Sequence, residues 1–554
     1  MVTVTYDEGA QTSANTGISL SALLAKLPRR AIEPVAAVVN GKLQELDYRI
    51  YIDSRIKWLD HDSIGGHRIY KRSLVFLLLV AAQELFGDYQ LWVSHSMENS
   101  LFCRLLGEPP LEATAVKLLE ARMKELAAAD LPIERHLVTR EDGASFFAAQ
   151  GNEEKARLLL RRASPNLNLY SMFTDKTSLT NYFYGRMAIS SGTLKDFSLL
   201  PFADGFILNL PHRSLLGKIT WDFSQPRRIQ ATVDEYRAWV NLLGISTVTD
   251  LNRVIENGDF SDLVLIAETM QERMLHRIAD CLADEFPKVR LVLIAGPSSS
   301  GKTTFTRRLS IQLRTLGITP IAVSMDNYFL NRDKTPLNDQ GKPDFESTCA
   351  MDLKLFNQHL AELIAGQEVL LPHYDFVTGQ RDDITQPCRL GEKNIIIVEG
   401  IHALNEALTS SVPFENKRKI FVSALTQLNL DPYNPIPTSD NRLIRRMVRD
   451  MQFRNMTPIA TLANWEEVRK GEYENIFPFE NHADYFFNSS LIYELAVLRP
   501  YVEAELAAIT PDIPAYLEAK RLLRFIQYFS EAQSEMIPKN SILQEFLGGS
   551  CFET

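Results

Sequence analysis

The chain has 554 residues, of which 45% are hydrophobic and 23% charged, a composition typical of a globular protein with several domains. A formal net charge of −10 argues against a nucleic-acid surface over the whole chain. Five scattered cysteines without a CxxC pair indicate reduced thiols, and the N-terminus has no signal-peptide pattern, so we expect a cytoplasmic protein without membrane contact. The apolar run Leu74 to Ala82 is too short to span a bilayer and predicts a buried helix.

The first part of the chain, residues 1–62, predicts a small β-rich unit. VTVTY alternates like a strand, SLSALLAKLP predicts a short helix, and VAAVVNGKLQEL predicts a hairpin with a turn at Asn40 and Gly41. This order resembles the β-grasp-like TGS domain of threonyl-tRNA synthetases, and the phrase AAVVNGKLQELDYRI carries the resemblance. The resemblance implies RNA contact as an open alternative, which the net charge does not support.

Residues 63–225 predict an α+β domain. A helix is expected from about Tyr70 to Phe86 and another over LEATAVKLLEARMKELAAAD. After a TGS-like unit, this order resembles the second additional domain of threonyl-tRNA synthetase, which carries a metal-binding HxxxH pair. No second histidine follows His67 at that spacing, and His95 stands alone, so we expect neither zinc nor editing hydrolysis.

Residues 226–285 predict a helical linker, and residues 286–500 predict an α/β domain. The apolar strand VRLVLIA leads into GPSSSGKTT, which matches GxxxxGK[ST] and precedes a helix. Glycines let the backbone wrap a phosphate, while N–H groups and the helix N-terminus supply positive potential. Lys302 is expected to reach the β- and γ-phosphates, and Thr303 to hold Mg²⁺. The predicted nucleotide-binding residues of this loop are Gly296, Ser298, Ser299, Ser300, Gly301, Lys302, Thr303 and Thr304.

Two acidic residues stand where predicted strands end. PIAVSMDNYFL predicts a strand that ends near Asp326, and NIIIVEG predicts one that ends at Glu399. Carboxylates at these ends face the ligand crevice of an open α/β sheet. We therefore expect Asp326 to accept the proton of an acceptor hydroxyl and Glu399 to act near Mg²⁺. The alternatives are a helix-capping role for Asp326 and a simple strand-end charge for Glu399.

An arginine-rich helix is predicted over DNRLIRRMVRD. At helical spacing Arg442, Arg445, Arg446 and Arg449 share broadly one face. Clustered guanidinium groups suit a lid that clamps phosphates during transfer, and a merely solvated helix is the alternative. Residues 501–554 predict a helical segment that packs either on the P-loop domain or on a second subunit.

Residues 289–490 resemble the phosphoribulokinase/uridine kinase family. Six segments carry the resemblance in family order: GPSSSGKTT, MDNYF, DFESTCAMD, LPHYDFVTGQR, IIIVEGIHAL and DNRLIRRMVRD. The resemblance implies a parallel sheet flanked by helices and an ATP- and Mg²⁺-dependent phosphotransferase. It implies Asp326 as the catalytic base, assisted by Lys302 and Arg445, with Arg446 and Arg449 at the nucleotide. The implied substrate-binding residues are Glu346, Tyr374, Phe376, Arg381 and Arg442.

The acceptor implied by the resemblance is a small molecule, foremost the 5′-hydroxyl of a nucleoside such as uridine. Family members that act on pyrimidine nucleosides have a histidine where this chain has Gly379. Another sugar or a sugar phosphate is therefore an alternative acceptor. An RNA-linked regulatory protein that senses nucleotides through its P-loop is a further alternative, motivated by the TGS-like unit. The oligomeric state stays open, and no DNA partner is expected.

Overall fold

The computed structural model describes residues 1–7, 9–87, 89–97, 100–107, 112–211, 227–337, 341, 347–375, 378–426 and 428–552. Two units of mixed or mainly β structure precede an α/β unit with a parallel five-stranded sheet, which confirms the predicted fold class. None of the described helices combines the length and apolar character that crossing a membrane would require.

The first unit is a five-stranded sheet that packs against a short helix, Leu20–Leu24. The predicted hairpin is confirmed: Asn40 and Gly41 have φ angles of 48° and 77°, as a two-residue hairpin turn requires. Its outer strands are antiparallel, but Val2–Tyr6 and Ser54–Leu59 pair in parallel. Across the sheet the strands are Ala10–Ala14, Val2–Tyr6, Ser54–Leu59, Ala36–Val39 and Lys42–Glu45, and the separate ladder is Ile18–Ser19 with Arg49–Ile50.

The second unit is built around one long helix, Ile64–Leu85, which contains the predicted apolar run, now buried. This helix begins earlier than predicted because the Ser63 hydroxyl accepts a hydrogen bond from the Gly66 N–H, at 3.2 Å, and caps the first turn. The other helices are Ala113–Ala128, Arg140–Ala149 and Glu153–Leu160. The second unit also contains two sheets. The four-stranded sheet is formed by Ser198–Phe202, Gly205–Asn209, Ser100–Leu106 and Gln90–Met97. The three-stranded sheet is formed by Glu134–Thr139, Asn166–Phe173 and Ser178–Asn181.

Three helices, Arg227–Leu243, Val248–Asn257 and Phe260–Asp284, follow this unit. The second one begins at a reciprocal Thr247–Asp250 capping box and ends at Gly258. Their buried residues belong to the same hydrophobic cluster as the core beside the parallel sheet. The predicted linker is thus helical and also supplies part of the core of the α/β unit.

The parallel sheet places its first strand, Leu291–Ala295, in the centre with every residue buried. Both faces are covered by helices, which explains the uninterrupted apolar run in the sequence. Across the sheet the strands are Thr319–Ser324, Asn394–Glu399, Leu291–Ala295, Lys417–Ser423 and Tyr485–Asn488. The helices are Lys302–Thr315, Leu353–Ile364, Thr438–Phe453, Pro458–Asn475, Glu494–Ala507, Tyr516–Ile526 and Gln544–Leu547.

Two further features complete the α/β unit. An antiparallel arm is formed by Glu368–Asp375 and Gln380–Arg389, and its buried residues share a hydrophobic cluster with the parallel sheet. Asn429–Asp431 pairs with Asn434–Pro435. The C-terminal residues pack on this unit, since Ile542 and Phe546 are fully buried in its core cluster. Of the two placements expected for the C-terminal segment, the structure therefore shows packing on the P-loop unit.

Candidate active site

The P-loop, residues 296–304, leaves the end of the central strand and turns into the helix Lys302–Thr315. Ser299 and Gly301 have φ angles of 59° and 80°, the left-handed conformation that turns successive N–H groups toward one side. A Cβ atom at Gly296 would lie 2.0 Å from the Val422 carbonyl oxygen, so only glycine fits there. The loop therefore has the backbone shape of an anion-binding concavity.

Two hydroxyl groups of this loop are free to bind a ligand. The side chains of Ser299 and Ser300 are buried, and their Oγ atoms have no hydrogen-bond partner among the described residues. A buried hydroxyl without a partner is unfavourable unless a ligand or water completes it. The P-loop thus offers two side-chain donors in addition to its N–H groups.

Lys302 lies folded across the P-loop. Its Nζ atom donates hydrogen bonds to the carbonyl oxygens of Gly296, at 2.9 Å, and Pro297, at 3.2 Å. Desolvation lowers the pKa of the Lys302 ammonium, and the carboxylates of Glu399 and Glu545 oppose this shift. The ammonium is therefore held by weak neutral acceptors in the site, where a phosphate would be a stronger partner.

Thr303 and Glu399 meet at the mouth of the P-loop. The Thr303 hydroxyl donates to Glu399 Oε1 at 2.9 Å, which joins the P-loop helix to the neighbouring strand. Desolvation raises the pKa of Glu399, while Lys302 and the Thr303 hydrogen bond lower it. Hydroxyl and carboxylate oxygens are the donors that Mg²⁺ prefers, and Mg²⁺ keeps several waters or phosphate oxygens as further ligands. Thr303 and Glu399 thus fit a magnesium ion bound together with a nucleotide.

A site with three or more protein ligands for a metal ion does not occur in the part of the chain that the structure describes. Nowhere in these ranges do three His, Cys, Asp or Glu side chains converge as metal ligands. His95 lies in the strand Gln90–Met97 and is buried against the ring of Phe102, with the ring centroids 5.4 Å apart. The Nδ1 atom of His95 also lies 3.3 Å from the Ser94 hydroxyl oxygen, so this ring has both an aromatic and a polar neighbour.

Asp326 stands directly after the strand Thr319–Ser324, in the short helical turn Met325–Tyr328. The turn is capped by Ser324, whose hydroxyl accepts a 3.3 Å hydrogen bond from the Asp326 N–H, so the Asp326 carboxylate is not the cap. That carboxylate is accessible from the crevice, yet the surrounding protein desolvates it and raises its pKa, while the charge of Lys302 lowers it. A carboxylate with a raised pKa in an accessible crevice suits proton transfer.

The arm carries two of the predicted substrate-binding residues. Tyr374 is buried with its ring 5.7 Å from that of Phe329, and its N–H donates to Asn327 Oδ1 at 3.3 Å. Arg381 pairs with Asp352 at 3.3 Å and donates to the Phe329 carbonyl oxygen at 3.2 Å. Both side chains therefore pack on the segment that follows Asp326.

Glu346 and Phe376, the other two residues predicted near the acceptor, lie outside the described residues. Their predicted contacts with the acceptor stay predictions.

Gly379 closes the turn of the arm in a conformation that favours glycine. Its φ angle is 70°, and its N–H donates to the Asp375 carbonyl oxygen at 2.8 Å. A Cβ atom here would lie 2.6 Å from Arg332 Nε, while the Arg332 N–H donates to the Gly379 carbonyl oxygen. The glycine is thus explained by the backbone of this turn, which would be strained by a histidine.

Arg442 lies behind the P-loop, on the helix Thr438–Phe453, which we call the arginine helix. Its side chain is buried in a two-pronged ion pair with Glu472, with Nη2 2.7 Å from Oε2, and also donates to the Ser298 carbonyl oxygen at 3.1 Å. The same carboxylate accepts the Ser298 N–H at 2.9 Å. Arg442 and Glu472 therefore hold the P-loop in position from behind.

Arg445 has the same kind of environment one turn further along. It is fully buried, is paired with Glu494, and donates to the carbonyl oxygens of Ser489 at 2.8 Å and Ser299 at 3.3 Å. The predicted lid of four arginines on one face therefore differs from the structure, in which the guanidinium groups of Arg442 and Arg445 face inward. Buried glutamates that are distant in sequence explain this arrangement.

Arg446 and Arg449 are the two arginines of the predicted set that stay partly accessible. Arg446 Nη1 donates to the Ser298 hydroxyl at 2.7 Å. Both share the buried carboxylate of Asp450 with Arg454, at 3.3 to 3.6 Å. Desolvation and the charge of Arg454 lower the pKa of Arg449 to about 10. Asp450 alone therefore does not neutralise these three arginines, which lie beside the P-loop.

Three glutamates that the sequence did not single out contact this site. Glu472 and Glu494 neutralise the buried arginines, and Glu545 accepts hydrogen bonds from Thr304. No local motif marks them, because each lies far along the chain from the P-loop residue it supports. Only the folded chain reveals these contacts.

Comparison with known proteins gives one family for the C-terminal half. Residues 291–491 match the model of the phosphoribulokinase/uridine kinase family. The uridine kinase of Tolumonas auensis is 31% identical over 206 residues, which cover 37% of this chain and 88% of that kinase. A solved D-glycerate 3-kinase from Cryptococcus neoformans var. grubii aligns with 46% of this chain and 88% of its own, at 15% identity and a TM-score of 0.22.

The N-terminal region is similar to a different class of protein. The threonine–tRNA ligase of Symbiobacterium thermophilum is 29% identical over 207 residues, which is 37% of this chain. The chain spans only 31% of the length of that ligase. These matches agree with the predicted resemblance of the first two units to threonyl-tRNA synthetases.

Proposed function

Because the chain belongs to the phosphoribulokinase/uridine kinase family, we propose that it is an ATP- and Mg²⁺-dependent kinase that phosphorylates a hydroxyl group of a small molecule. The foremost acceptor is the 5′-hydroxyl of a nucleoside such as uridine. The observation that carries the proposal is the convergence of Lys302, Thr303, Glu399 and Asp326, since the charge of Lys302 acts on both carboxylates. Such a group is what phosphoryl transfer to a hydroxyl needs.

On the donor side, the P-loop N–H groups and the Ser299 and Ser300 hydroxyls bind the phosphates of ATP. Lys302 exchanges its two carbonyl contacts for phosphate oxygens, which are stronger partners for an ammonium group. Thr303 and Glu399 would hold Mg²⁺, which would neutralise negative charge on the phosphates of ATP. Arg446 and Arg449 contribute the surplus positive charge that stabilises the transferring phosphoryl group.

On the acceptor side, Asp326 accepts the proton of the attacking hydroxyl. Desolvation raises its pKa, which makes the ionised carboxylate a better base than that of an ordinary aspartate. The arm that bears Tyr374 and Arg381 packs against the segment after Asp326 and forms the wall on which the acceptor lies. Arg442 and Arg445 act as positioning residues, because they hold the P-loop from behind.

A second candidate acceptor is another sugar or a sugar phosphate. The glycine at position 379, favoured by a φ of 70° and by the contact with Arg332, supports it, because position 379 has no side chain that could contact a pyrimidine base. An RNA-linked regulator that only senses nucleotide is the remaining alternative. The similarity of the N-terminal region to threonine–tRNA ligases motivates it.

The experiment is an acceptor screen with the purified full-length protein. ADP release and phosphorylated product are measured with ATP and Mg²⁺ against nucleosides, sugars and sugar phosphates, with Lys302→Ala as the matched inactive control. We expect turnover with at least one hydroxyl acceptor and none in the variant. Equal product in wild type and variant would refute the assignment, and ATP binding without any acceptor-dependent product would favour the sensor.

A further inference from the structure

The C-terminal segment, residues 537–552, folds back onto the P-loop. A Cβ atom at Gly301 would lie 2.6 Å from Ile542 Cγ2, so this glycine permits the segment to approach the loop closely. The Phe546 ring lies 5.0 Å from the Arg445 guanidinium, and the short helix Gln544–Leu547 packs against the arginine helix. Ile542 and Phe546 are fully buried, so this part of the segment is fixed in the core.

One polar residue of this segment reaches into the P-loop itself. Glu545 Oε2 accepts hydrogen bonds from the Thr304 N–H, at 3.1 Å, and from the Thr304 hydroxyl, at 2.9 Å. Glu545 is only half-buried, and its charge opposes the lowering of the pKa of Lys302 and Arg449 and adds to the raising of the pKa of Glu399. The carboxylate therefore stands among the residues assigned to the nucleotide and its metal.

The position of Thr304 identifies the phosphate with which this carboxylate conflicts. P-loop N–H groups bind the α- and β-phosphates, the lysine reaches the β- and γ-phosphates, and the following hydroxyl residue holds the metal. Lys302 and Thr303 fill the last two roles, so Thr304, one residue further into the helix, faces the α-phosphate. The first N–H groups of a helix have no partner within it and attract anions, and Gly301 at the N-cap offers no side chain to them.

We propose that Glu545 is a further residue of the nucleotide site and that its carboxylate competes with the α-phosphate for the N–H and hydroxyl of Thr304. This inference rests on the proposed function, because it requires a nucleotide in the P-loop. Two anions cannot share these donors, so nucleotide binding requires the Glu545 side chain to turn away while Ile542 and Phe546 stay anchored. Without nucleotide, the chain's own carboxylate fills the site, and affinity is reduced accordingly.

The test is the affinity for ADP, measured by titration calorimetry in the full-length protein with Glu545→Gln. This change keeps the shape and one acceptor oxygen but removes the charge. We expect ADP to bind about 5- to 30-fold more tightly, the effect of removing one partly buried charge at a helix N-terminus. Adenosine, which lacks the phosphate, should show no change. Glu535→Gln, an exposed residue of the adjacent turn Ser534–Met536, is the matched control and should leave both affinities unchanged.

Unchanged or weaker ADP binding in Glu545→Gln would overturn the inference. A lower melting temperature in that variant would then identify Glu545 as a stabilising cap of the P-loop helix. Equal tightening of adenosine would point to a general change of the site. The calorimetry needs no acceptor. Tighter ADP binding in Glu545→Gln, together with no product in the acceptor screen, would therefore contradict the proposed function and leave this inference standing. Absence of ADP binding in both proteins would contradict the two proposals together.

Discussion

The substitution Arg445→Ala tests how the structure holds its P-loop. The Arg445 side chain has 0% relative exposure and pairs with Glu494, which has 2%. Removing the arginine leaves that carboxylate buried without its counter-charge and also removes the donors to the Ser489 and Ser299 carbonyl oxygens. Breaking a buried ion pair in this way typically costs about 3–5 kcal/mol. We expect a loss of that size in the free energy of unfolding, and weaker ADP binding in the protein that still folds.

Urea unfolding followed by circular dichroism measures the loss. Arg454→Ala is the control, because Arg454 also pairs with a carboxylate of the arginine helix, Asp450, but its side chain is 50% exposed. This substitution should change the free energy of unfolding by no more than about 0.5 kcal/mol. The double variant Arg445→Met with Glu494→Gln removes both charges and should recover most of the loss. A cost below about 1 kcal/mol for Arg445→Ala, or no recovery in the double variant, would show that the buried pair of Arg445 and Glu494 does not hold the P-loop in place.

Two further predictions concern the acceptor side. Because desolvation raises the pKa of Asp326, the acid limb of the pH profile of kcat/KM should lie above the ordinary aspartate pKa. This limb should vanish in Asp326→Asn. A limb that is unchanged in the variant would assign the titration to another group. Because the pKa of Asp326 is raised in the folded protein, the stability that this carboxyl contributes is present at low pH and is lost as pH rises through that pKa. Asp326→Asn should therefore not lower the melting temperature at pH 7. Gly379→His should destabilise the protein by about 1–2 kcal/mol through its positive φ and the Arg332 contact, and should not improve uridine turnover. Gly366 has a φ of 77° and open space around it, so Gly366→His measures the cost of the positive φ alone. Equal melting temperatures of the two variants would show that the contact with Arg332 adds nothing to that cost.

The sequence predicted best what is encoded in contiguous residues. The P-loop was recognisable because its glycines, Lys302 and Thr303 lie in one run between an apolar strand and a helix. Asp326 and Glu399 were placed at one sheet edge because parallel strands bring their carboxyl ends together. The hairpin at Asn40 was equally local.

Long-range partners were not predictable. Helical spacing put four arginines broadly on one face, but it could not show that Glu472 and Glu494 would draw Arg442 and Arg445 into the core. Glu545 contacts Thr304 only because the last short helix packs on the arginine helix, and no periodicity records that contact. The early start of the helix Ile64–Leu85 escaped prediction because consecutive glycines in its first turn suggest a break.

If Asp326 takes the proton of the acceptor hydroxyl while the P-loop holds ATP, the variant Asp326→Asn separates these two roles. Turnover with the best acceptor and ATP affinity are measured side by side in wild type and Asp326→Asn. General-base catalysis typically contributes about 10²–10⁴-fold, so turnover should fall by that factor while ATP affinity changes little. A fall in ATP affinity that raised Mg²⁺ partly rescues would instead assign Asp326 to the metal. Near-normal turnover in Asp326→Asn would contradict the assignment of Asp326 as the general base.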